Sequence, residues 1–425
     1  MENYIAIISL GVLCVTLAIA FIFKLNSGLV SIVASLALTM FAGQKLLGAA
    51  PEKFIMSSFN NSLFLMLLGV MYLFSLAQEN KTLEVMSKKT FALCKGNAKL
   101  LPIVIFMVAA VISAIGPGLI SSTALISVLV VALAQEMDTK AIRLVPFGLL
   151  GAFGGGLTPV APTGIVAVNI AGENGIYGVE GSVPWKMFVT CAIFAAVLYF
   201  FVFKWHKAKN IPIQKGETVS GADSFSPKQI VTLAGILVAA AVSSVFKLNV
   251  GLVSFVVAVI LTLFKVSDET VALKKVPWGT LIMITGVGIL ISVVTQLGGI
   301  DLLSNALSKL STDKTVAPIM ALLSGMMSWV SSASGVVMPT LIPTIPDVVS
   351  SLPGADPLAL VNCISIGANM AALSPLSTCG ALMLAAYCAS GNPTPKERNQ
   401  MFVQLFILSV SGVVLTAVLA LVGFY

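Results

Sequence analysis

The chain has too few charged residues to form the surface of a soluble protein. Only 10% of its 425 residues are Asp, Glu, Lys or Arg, whereas 58% are hydrophobic and the mean hydropathy is +1.03. Soluble domains carry about a quarter charged residues. Apolar stretches of about twenty residues recur from end to end, which indicates a polytopic α-helical membrane protein. The alternating segments of about ten residues that form membrane barrels do not occur.

Residue types that carry catalytic or metal chemistry are also scarce. The six cysteines form no CxxC pair, and five lie in apolar segments, which favours small buried side chains over metal or disulfide roles. The single histidine, His206, lies in a polar stretch, so a serine protease at residues 332–335 would have no general base in the membrane. No GxxxxGK[ST] loop occurs, which argues against ATP-driven pumping. We therefore expect neither an enzyme nor a cofactor.

The net charge of +7 is explained by membrane topology and does not indicate a nucleic-acid partner. The basic residues lie between apolar segments, where they orient a membrane protein. The first apolar segment, from Tyr4 to Phe23, lacks a basic region before it and a small-residue cleavage site. We therefore expect this segment to remain in the mature protein.

The second half of the sequence repeats the first. Residues 23–31 (FKLNSGLVS) recur as residues 246–254 (FKLNVGLVS), at an offset of 223. The stretch LTPVAPTG at 157–164 recurs as LSPLSTCG at 373–380, at an offset of 216. A polar stretch separates the halves, and we interpret it as a solvated linker. The predicted units are repeat 1 at 1–203, the linker at 204–229 and repeat 2 at 230–425.

Each repeat contains five predicted spans and one apolar region that doubles back. The doubled regions, about 100–135 and 316–345, would be up to ~54 Å long as straight helices, against a hydrocarbon core of ~30 Å. Each therefore forms either a re-entrant hairpin or two short spans. A repeat that crosses the membrane five times ends on the opposite side from its start. The second repeat therefore begins on that side, and the two repeats are predicted to be inverted. The spans are about 4–23, 28–44, 61–78, 144–171, 187–203, 230–246, 250–264, 277–297, 358–390 and 400–424.

The distribution of basic residues predicts the orientation. With the linker in the cytoplasm, eighteen of the 24 Lys and Arg residues lie inside. Both termini then face outward from a multi-pass protein of the cell inner membrane. Inverted repeats suit alternating access, because two related halves can exchange conformations to open either side.

Two of the predicted spans are broken near their centres. Region 144–171 would be ~42 Å long as a helix, and it carries glycines at 154–156 and prolines at 159 and 162. Proline and glycine predict an unwound stretch, with a second half-helix beginning near Pro159 or Pro162. Residues 374–380 repeat this plan. Unwound backbone at membrane depth lines a wet cavity or is buried by protein.

The breaks and the doubled regions supply the predicted site. All charged residues lie in loops or at span ends. An anionic substrate would therefore be held by helix N-termini and hydroxyls. A coupling ion would be held by neutral oxygens, which favours Na⁺ over H⁺. The predicted substrate-binding residues are Ser121, Ser122, Thr123, Thr158, Pro162, Thr163, Gly164, Ser331, Ser332, Ser334, Ser377, Thr378 and Gly380. The predicted neighbours of Na⁺ are Ser121, Gly155, Thr158, Ser332, Asn369 and Ser374.

Three segments resemble the MatC-type malonate/dicarboxylate carriers of the ion transporter superfamily, which includes the divalent anion–sodium symporters. They are LFLMLLGVMYLFSLAQENKTLE at 63–84, the Pro- and Gly-containing hairpin at 102–118 and the break at 155–164. The resemblance implies a homodimer with a rigid scaffold and a mobile transport domain that moves as an elevator. It also implies a site at two hairpin tips and two breaks, where the relatives' Ser-Asn-Thr triplets correspond to residues 121–123 and 331–334.

The sequence thus predicts an all-α membrane protein of two inverted repeats, each with five transmembrane helices, a re-entrant hairpin and a broken helix. The predicted function is secondary transport of small organic anions, foremost dicarboxylates, coupled to Na⁺ by an elevator mechanism. A proton-coupled symporter or an anion exchanger of the same superfamily, with a different anion, is the alternative. A channel is a third possibility, because inverted broken helices also line pores.

Overall fold

The protein is described by a computed structural model over most of its length. The described residues are 2–23, 25–82, 85, 99–136, 139–207, 225–246, 248–276, 278–391 and 393–425. Within these ranges every regular element is a helix, so the predicted all-α class is confirmed. Seven of these helices are long and apolar enough to cross a membrane, and seven shorter apolar helices of 10–17 residues accompany them.

The helices of the first half follow the predicted order. They are α1 (Glu2–Ile22), α2 (Ser27–Ala42), α3 (Gln44–Leu47), α4 (Pro51–Ser57), α5 (Asn61–Glu79), α6 (Leu101–Ile115), α7 (Gly118–Glu136), α8 (Val145–Gly155), α9 (Pro162–Glu173) and α10 (Val179–Val197). A π-helical turn, Leu198–Val202, extends α10.

The second half repeats this order. Its helices are α11 (Pro227–Phe246), α12 (Val250–Leu263), α13 (Glu269–Lys275), α14 (Trp278–Gln296), α15 (Gly299–Leu310), α16 (Val316–Val330), α17 (Ala333–Ser351, with π and 3-10 turns), α18 (Pro357–Met370), α19 (Thr378–Gly391) and α20 (Pro395–Leu421).

Most predicted spans agree with these bounds, and the largest difference is in α10. The prediction began at residue 187, just after Lys186, whereas α10 begins at Val179 and contains Pro184. Pro184 is the sixth residue of α10, so it removes one of the helix's backbone hydrogen bonds. The short helices α4 and α13 were not predicted. Residues 208–224 of the predicted linker lie outside the described residues, and α11 begins at Pro227, within the predicted linker.

The helices pack into two bundles. In the first, which we call the scaffold bundle, α2 packs against α14 and α5 packs against α12, with α1 and α11 beside them. In the second, the hairpin bundle, α6 packs against α8, α16 against α18 and α7 against α19, while α10 and α20 lie on their outer side. We assign α9 and α17 to the hairpin bundle as well, because α9 follows the first break and α17 completes the second hairpin. Each of the two main contacts of the scaffold bundle joins one helix from each half of the chain.

Glycine allows the helices of the scaffold bundle to touch through their backbones. Gly28 of α2 lies against Gly286 of α14, and Gly69 of α5 lies against Gly251 of α12; a Cβ on any of them would lie less than 3.0 Å from partner backbone. Gly28 and Gly251 are 223 residues apart, and Gly69 and Gly286 are 217 apart. Each glycine of one contact therefore corresponds to a glycine of the other contact. A two-fold axis that relates the two halves would require this correspondence.

Polar contacts group the helix ends into two faces. On one face Asn80 Nδ2 donates to Thr232 Oγ1 at 2.7 Å, and Arg143 donates to the Phe203 carbonyl at 3.2 Å. On the other, Asn60 Nδ2 donates to Glu173 Oε1 at 2.7 Å. We call these the Asn80 face and the Asn60 face; α5 runs from one to the other. The predicted topology requires this grouping, and the assignment of the Asn80 face to the cytoplasm stays a prediction.

Replacing Gly286 by Ala should destabilise the scaffold bundle. The added Cβ would overlap the backbone of α2, and overpacking of this kind costs about 1–3 kcal/mol. Gly288→Ala, two residues along α14, is the matched control, because no atom lies within 4 Å of the place that its methyl group would take. Scanning fluorimetry of the purified variants should give a lower melting temperature for Gly286→Ala alone. Equal melting temperatures would contradict the close crossing.

Candidate functional site

The first doubled region is a helical hairpin with a glycine turn. Its two helices, α6 and α7, have 15 and 19 residues. The chain reverses at Gly116 and Pro117, where Gly116 has φ +141° and Gly118 has φ +76°. A side chain would be strained at either glycine. Gly116 also lies against the ring of Phe74 on the scaffold helix α5.

The expectation that residues 121–123 form the tip of this hairpin is wrong. Because Gly116 and Pro117 make the turn, Ser121, Ser122 and Thr123 lie in the first two turns of α7. Ser121 is half-buried and lines a cavity. Ser122 and Thr123 are each 1% exposed and line neither cavity of the site, and Thr123 faces the thiol of Cys379 on α19. Of the three, only Ser121 is placed to meet a ligand.

The second hairpin has the predicted serines at its turn. Helix α16 ends at Val330, and Ser331 and Ser332 link it to α17. The Ser332 hydroxyl accepts a hydrogen bond from the Gly335 N–H at 3.1 Å and so caps the start of α17. The Ser331 hydroxyl donates to the Met327 carbonyl at 2.6 Å. Both groups are therefore engaged with the backbone of the tip.

The two breaks interrupt matching helices of the two halves. Helix α8 ends at Gly155, and α9 begins with Pro162 at its first position, which decides between the two predicted prolines. In the second half α18 ends at Met370, a 3-10 turn follows, and α19 begins at Thr378. Gly164 and Gly380 each lie against a backbone carbonyl of their own break, that of Thr158 or Ser374, where a Cβ would clash.

Several of the predicted hydroxyls form hydrogen bonds with backbone groups at the helix breaks. Thr158 Oγ1 donates to the Ala114 carbonyl at 2.8 Å and so ties the first break to the first hairpin. Ser377 Oγ donates to the carbonyls of Ala372 and Ser374 at 2.7 and 2.8 Å, and Ser374 Oγ accepts from Leu376 N–H at 3.1 Å. These hydroxyls are engaged in the protein.

Four other predicted hydroxyls are available to a ligand. In the described part of the chain the side chains of Ser121, Thr163, Ser334 and Thr378 make no hydrogen bond, and each lines a cavity. One comes from each hairpin and one from each break. The structure therefore divides the predicted residues into those that hold the site together and those that face an open space.

Two adjoining cavities lie between the hairpins, the breaks and the scaffold bundle. The first has a volume of about 590 Å³ and the second of about 410 Å³. Thr163 and Ser334 line both. Other predicted residues line only one: Ser121 and Pro162 the first, and Ser331, Ser332, Asn369, Ser377 and Thr378 the second. Asn369 donates to the Ser365 carbonyl at 2.7 Å, which fixes its amide.

Helix N-termini give the cavities their electrostatic character. Helices α7, α9, α17 and α19 all begin here, and their first residues, Gly118, Pro162, Ala333 and Thr378, line one cavity or the other. The first N–H groups of a helix have no partner within it and carry a partial positive charge. No charged side chain is among the described residues that line these two cavities. The arrangement suits an anion held by backbone and hydroxyl donors.

The sequence did not point to the scaffold residues of the site. Gln78 and Ser75 of α5 and Thr280 of α14 line the first cavity. These helices have no central break, so nothing in the pattern marked them as functional. The one available signal was Gln78, an exposed amide near the end of an otherwise apolar helix.

A third and larger cavity opens on the Asn60 face. Its volume is about 1300 Å³, and Asn60, Glu173 and Ser292 are among its polar lining residues. Ile284 lines both this cavity and the first one. We call it the vestibule, because it extends from the Asn60 face toward the site.

Comparison with known proteins agrees with a transport site. The sequence model of the family described as citrate transporter, CitMHS, matches residues 17–365. No curated protein matches the chain. Among solved structures, the YdaH transporter of Alcanivorax borkumensis, reported to have an unusual topology, is similar with a TM-score of 0.61, 12% identity and 87% coverage of each chain. That identity shows the fold alone. The narrower resemblance to MatC-type malonate carriers is not confirmed.

Serines and threonines that differ in hydrogen bonding should differ in their effect on stability. Ser377→Ala removes a hydroxyl that donates to two carbonyls in the break, so the free energy of unfolding should fall by about 1–3 kcal/mol. Thr378→Ala removes a hydroxyl without a partner in the described chain and should change it by less than about 0.5 kcal/mol. Thermal unfolding of the ligand-free variants measures the difference; the reverse order would contradict the assignment.

Proposed function

The chain belongs to the citrate transporter family CitMHS, and we propose that it carries di- or tricarboxylate anions across the membrane by alternating access. The family is one of transporters, so the protein is a membrane transporter of organic anions and not an enzyme. One observation carries the proposal on substrate: four helix N-termini and four unengaged hydroxyls surround adjoining cavities whose described lining has no charged side chain.

The division of the site into two cavities favours a substrate with more than one carboxylate. Thr163 and Ser334, at the junction, belong to different halves of the chain. A dicarboxylate can place one carboxylate against the donors of α7 and α9 and the other against those of α17 and α19. The name of the family favours citrate, which has a third carboxylate. We propose dicarboxylates and citrate as the substrates to test first.

We propose Na⁺ as the coupling ion. The C-terminal ends of α8 and α18 stop at the breaks, and backbone carbonyls freed there are ligands of a kind that transporters use for small cations. The proposed neighbours of the ion are Ser121, Gly155, Thr158, Ser332, Asn369 and Ser374. Proton coupling and anion exchange are the alternatives, since a carboxylate substrate can itself carry a proton.

The proposed movement is a displacement of the hairpin bundle relative to the scaffold bundle. The four predicted hydroxyls that have no hydrogen-bond partner in the described chain lie in the hairpin bundle, so an anion bound to them would move with it. We further propose a homodimer in the cell inner membrane, with the Asn80 face in the cytoplasm and both termini outside.

Loss of an unengaged hydroxyl should weaken substrate binding without unfolding the protein. Thr163→Ala and Thr378→Ala should each raise the Kd for citrate or malate roughly tenfold, because a hydrogen bond to a charged group contributes about 1.5 kcal/mol or more. Thr39→Ala, which removes a hydroxyl bonded to the Leu36 carbonyl in α2, is the control. Ligand-induced shifts in melting temperature measure the affinities. Wild-type affinity in both variants would contradict the assignment of these hydroxyls to the substrate.

Imposed ion gradients should distinguish the coupling ions. In proteoliposomes, an inward Na⁺ gradient should drive accumulation of the carboxylate that gives the largest thermal shift. A pH gradient in Na⁺-free buffer should not. Accumulation under the pH gradient alone would contradict the proposal of Na⁺ coupling, but it would still support carboxylate transport. Empty liposomes and liposomes with heat-denatured protein give the background.

A further inference from the structure

The contact surface between the scaffold bundle and the hairpin bundle is mainly apolar. Gly116 lies against the ring of Phe74, and Gly335 lies against the side chain of Met283. Two side-chain hydrogen bonds cross this surface in the described part of the chain. One joins Asn169 Nδ2 to a methionine sulfur, a weak acceptor, at 3.5 Å. The other joins Asn60 Nδ2 to Glu173 Oε1 at 2.7 Å and has a carboxylate as acceptor.

Asn60 is held in place by a second hydrogen bond. It is the N-cap of α5, and its Oδ1 accepts from the Leu63 N–H at 3.0 Å. A capping side chain is fixed by the helix start. The cap therefore sets the plane of the Asn60 amide and directs its Nδ2 group toward the hairpin bundle.

Glu173 lies at an unfavourable end of its own helix. It is the last residue of α9, where the helix dipole is negative and a carboxylate is destabilising. Through Asn60 it reaches the N-terminal, positive end of α5, where a carboxylate is stabilising. The carboxylate of Glu173 therefore has its hydrogen-bond donor at the start of a helix of the other bundle, and a movement of α9 away from α5 would break this bond.

The repeat gives this bond no counterpart on the opposite face. The residue 217 positions after Asn60 is Pro277, and the residue 216 positions after Glu173 is Ala389. Neither side chain can donate or accept a hydrogen bond. If the two halves exchanged conformations, no equivalent bond would form. The contact is therefore specific to the arrangement of bundles seen here.

We propose that the hydrogen bond between Asn60 and Glu173 is a one-sided latch. It holds the hairpin bundle in its present position relative to the scaffold bundle and opens when the hairpin bundle moves. Glu173 is exposed and both residues line the vestibule, so water can replace the bond when it opens. The latch rests on the proposed function only in its requirement that the bundles move relative to each other.

Distances between spin labels on the two bundles test the latch. Met56 lies on α4, which packs against α2 and α14 of the scaffold bundle, and Tyr177 lies just before α10 of the hairpin bundle; they are 79% and 78% exposed. Both are changed to cysteine in a chain whose native cysteines are replaced by serine, and the spin-labelled protein is measured by double electron–electron resonance in lipid nanodiscs. The otherwise unchanged protein should give mainly one distance, with a minor second population.

Substitutions at Asn60 separate the latch from the cap. Asn60→Ser keeps a good N-cap residue but loses the donor to Glu173. It should raise the ratio of the second population to the first about three- to tenfold, the effect of one hydrogen bond. Asn60→Asp also caps α5 but faces Glu173 with a second carboxylate, so its ratio should be higher still. Glu180→Gln, at an exposed carboxylate on α10, should leave the ratio unchanged.

The outcomes separate the latch from the proposed substrate. Unchanged ratios in Asn60→Ser and Asn60→Asp, or a single distance in every variant, would overturn the latch. Citrate and malate binding is measured on the same variants by thermal shift. If the population ratios change in a protein that binds neither anion, the latch is supported and the proposed substrates are contradicted. Anion binding with unchanged ratios would keep the substrates and overturn the latch.

Discussion

Backbone polar groups cannot remain unpaired at membrane depth, and the site follows from this constraint. Wherever the chain breaks a helix inside the bilayer, it must supply partners from protein or from a wet cavity. Here the Thr158 and Ser377 hydroxyls bond to backbone carbonyls at the breaks. The first residues of four helices instead line two cavities. The breaks and hairpins thus create helix N-termini, and these are the parts of the backbone best suited to bind an anion.

The sequence predicted the features that local chemistry determines. Proline and glycine at 154–164 and 373–380 are sufficient to predict two breaks, because neither residue type continues a helix well. The matched motifs indicated a repeat, and apolar length indicated the spans. The tip of the first hairpin was misplaced, since a Gly-Pro turn and a nearby serine run both resemble a tip in a one-dimensional pattern. Packing decided between them, because Gly116 fits against the ring of Phe74.

The sequence could not show which hydroxyls are free to bind a ligand and which form hydrogen bonds with the backbone. Thr158, Thr163, Ser377 and Thr378 are chemically alike, and only their neighbours in space distinguish them. Gln78 and Thr280 reach the site from helices without any break, so their place depends on how the two bundles meet. Identification of the family gives the class of cargo. The geometry adds a difference within each break, where one hydroxyl is bonded to the backbone and another lines a cavity.

The glycine crossings of the scaffold bundle have a consequence for biosynthesis. Helix α2 is complete at residue 42, but its partner α14 begins only at residue 278. At about 5–20 residues per second, α2 waits on the order of ten seconds or more for that partner to be synthesised. The pairs α6–α8 and α16–α18 each form within one half and need no such wait. The nascent protein is therefore expected to pair α6 with α8 first, while the glycine faces of α2 and α5 stay exposed to lipid or to the insertion machinery until α12 and α14 have been synthesised.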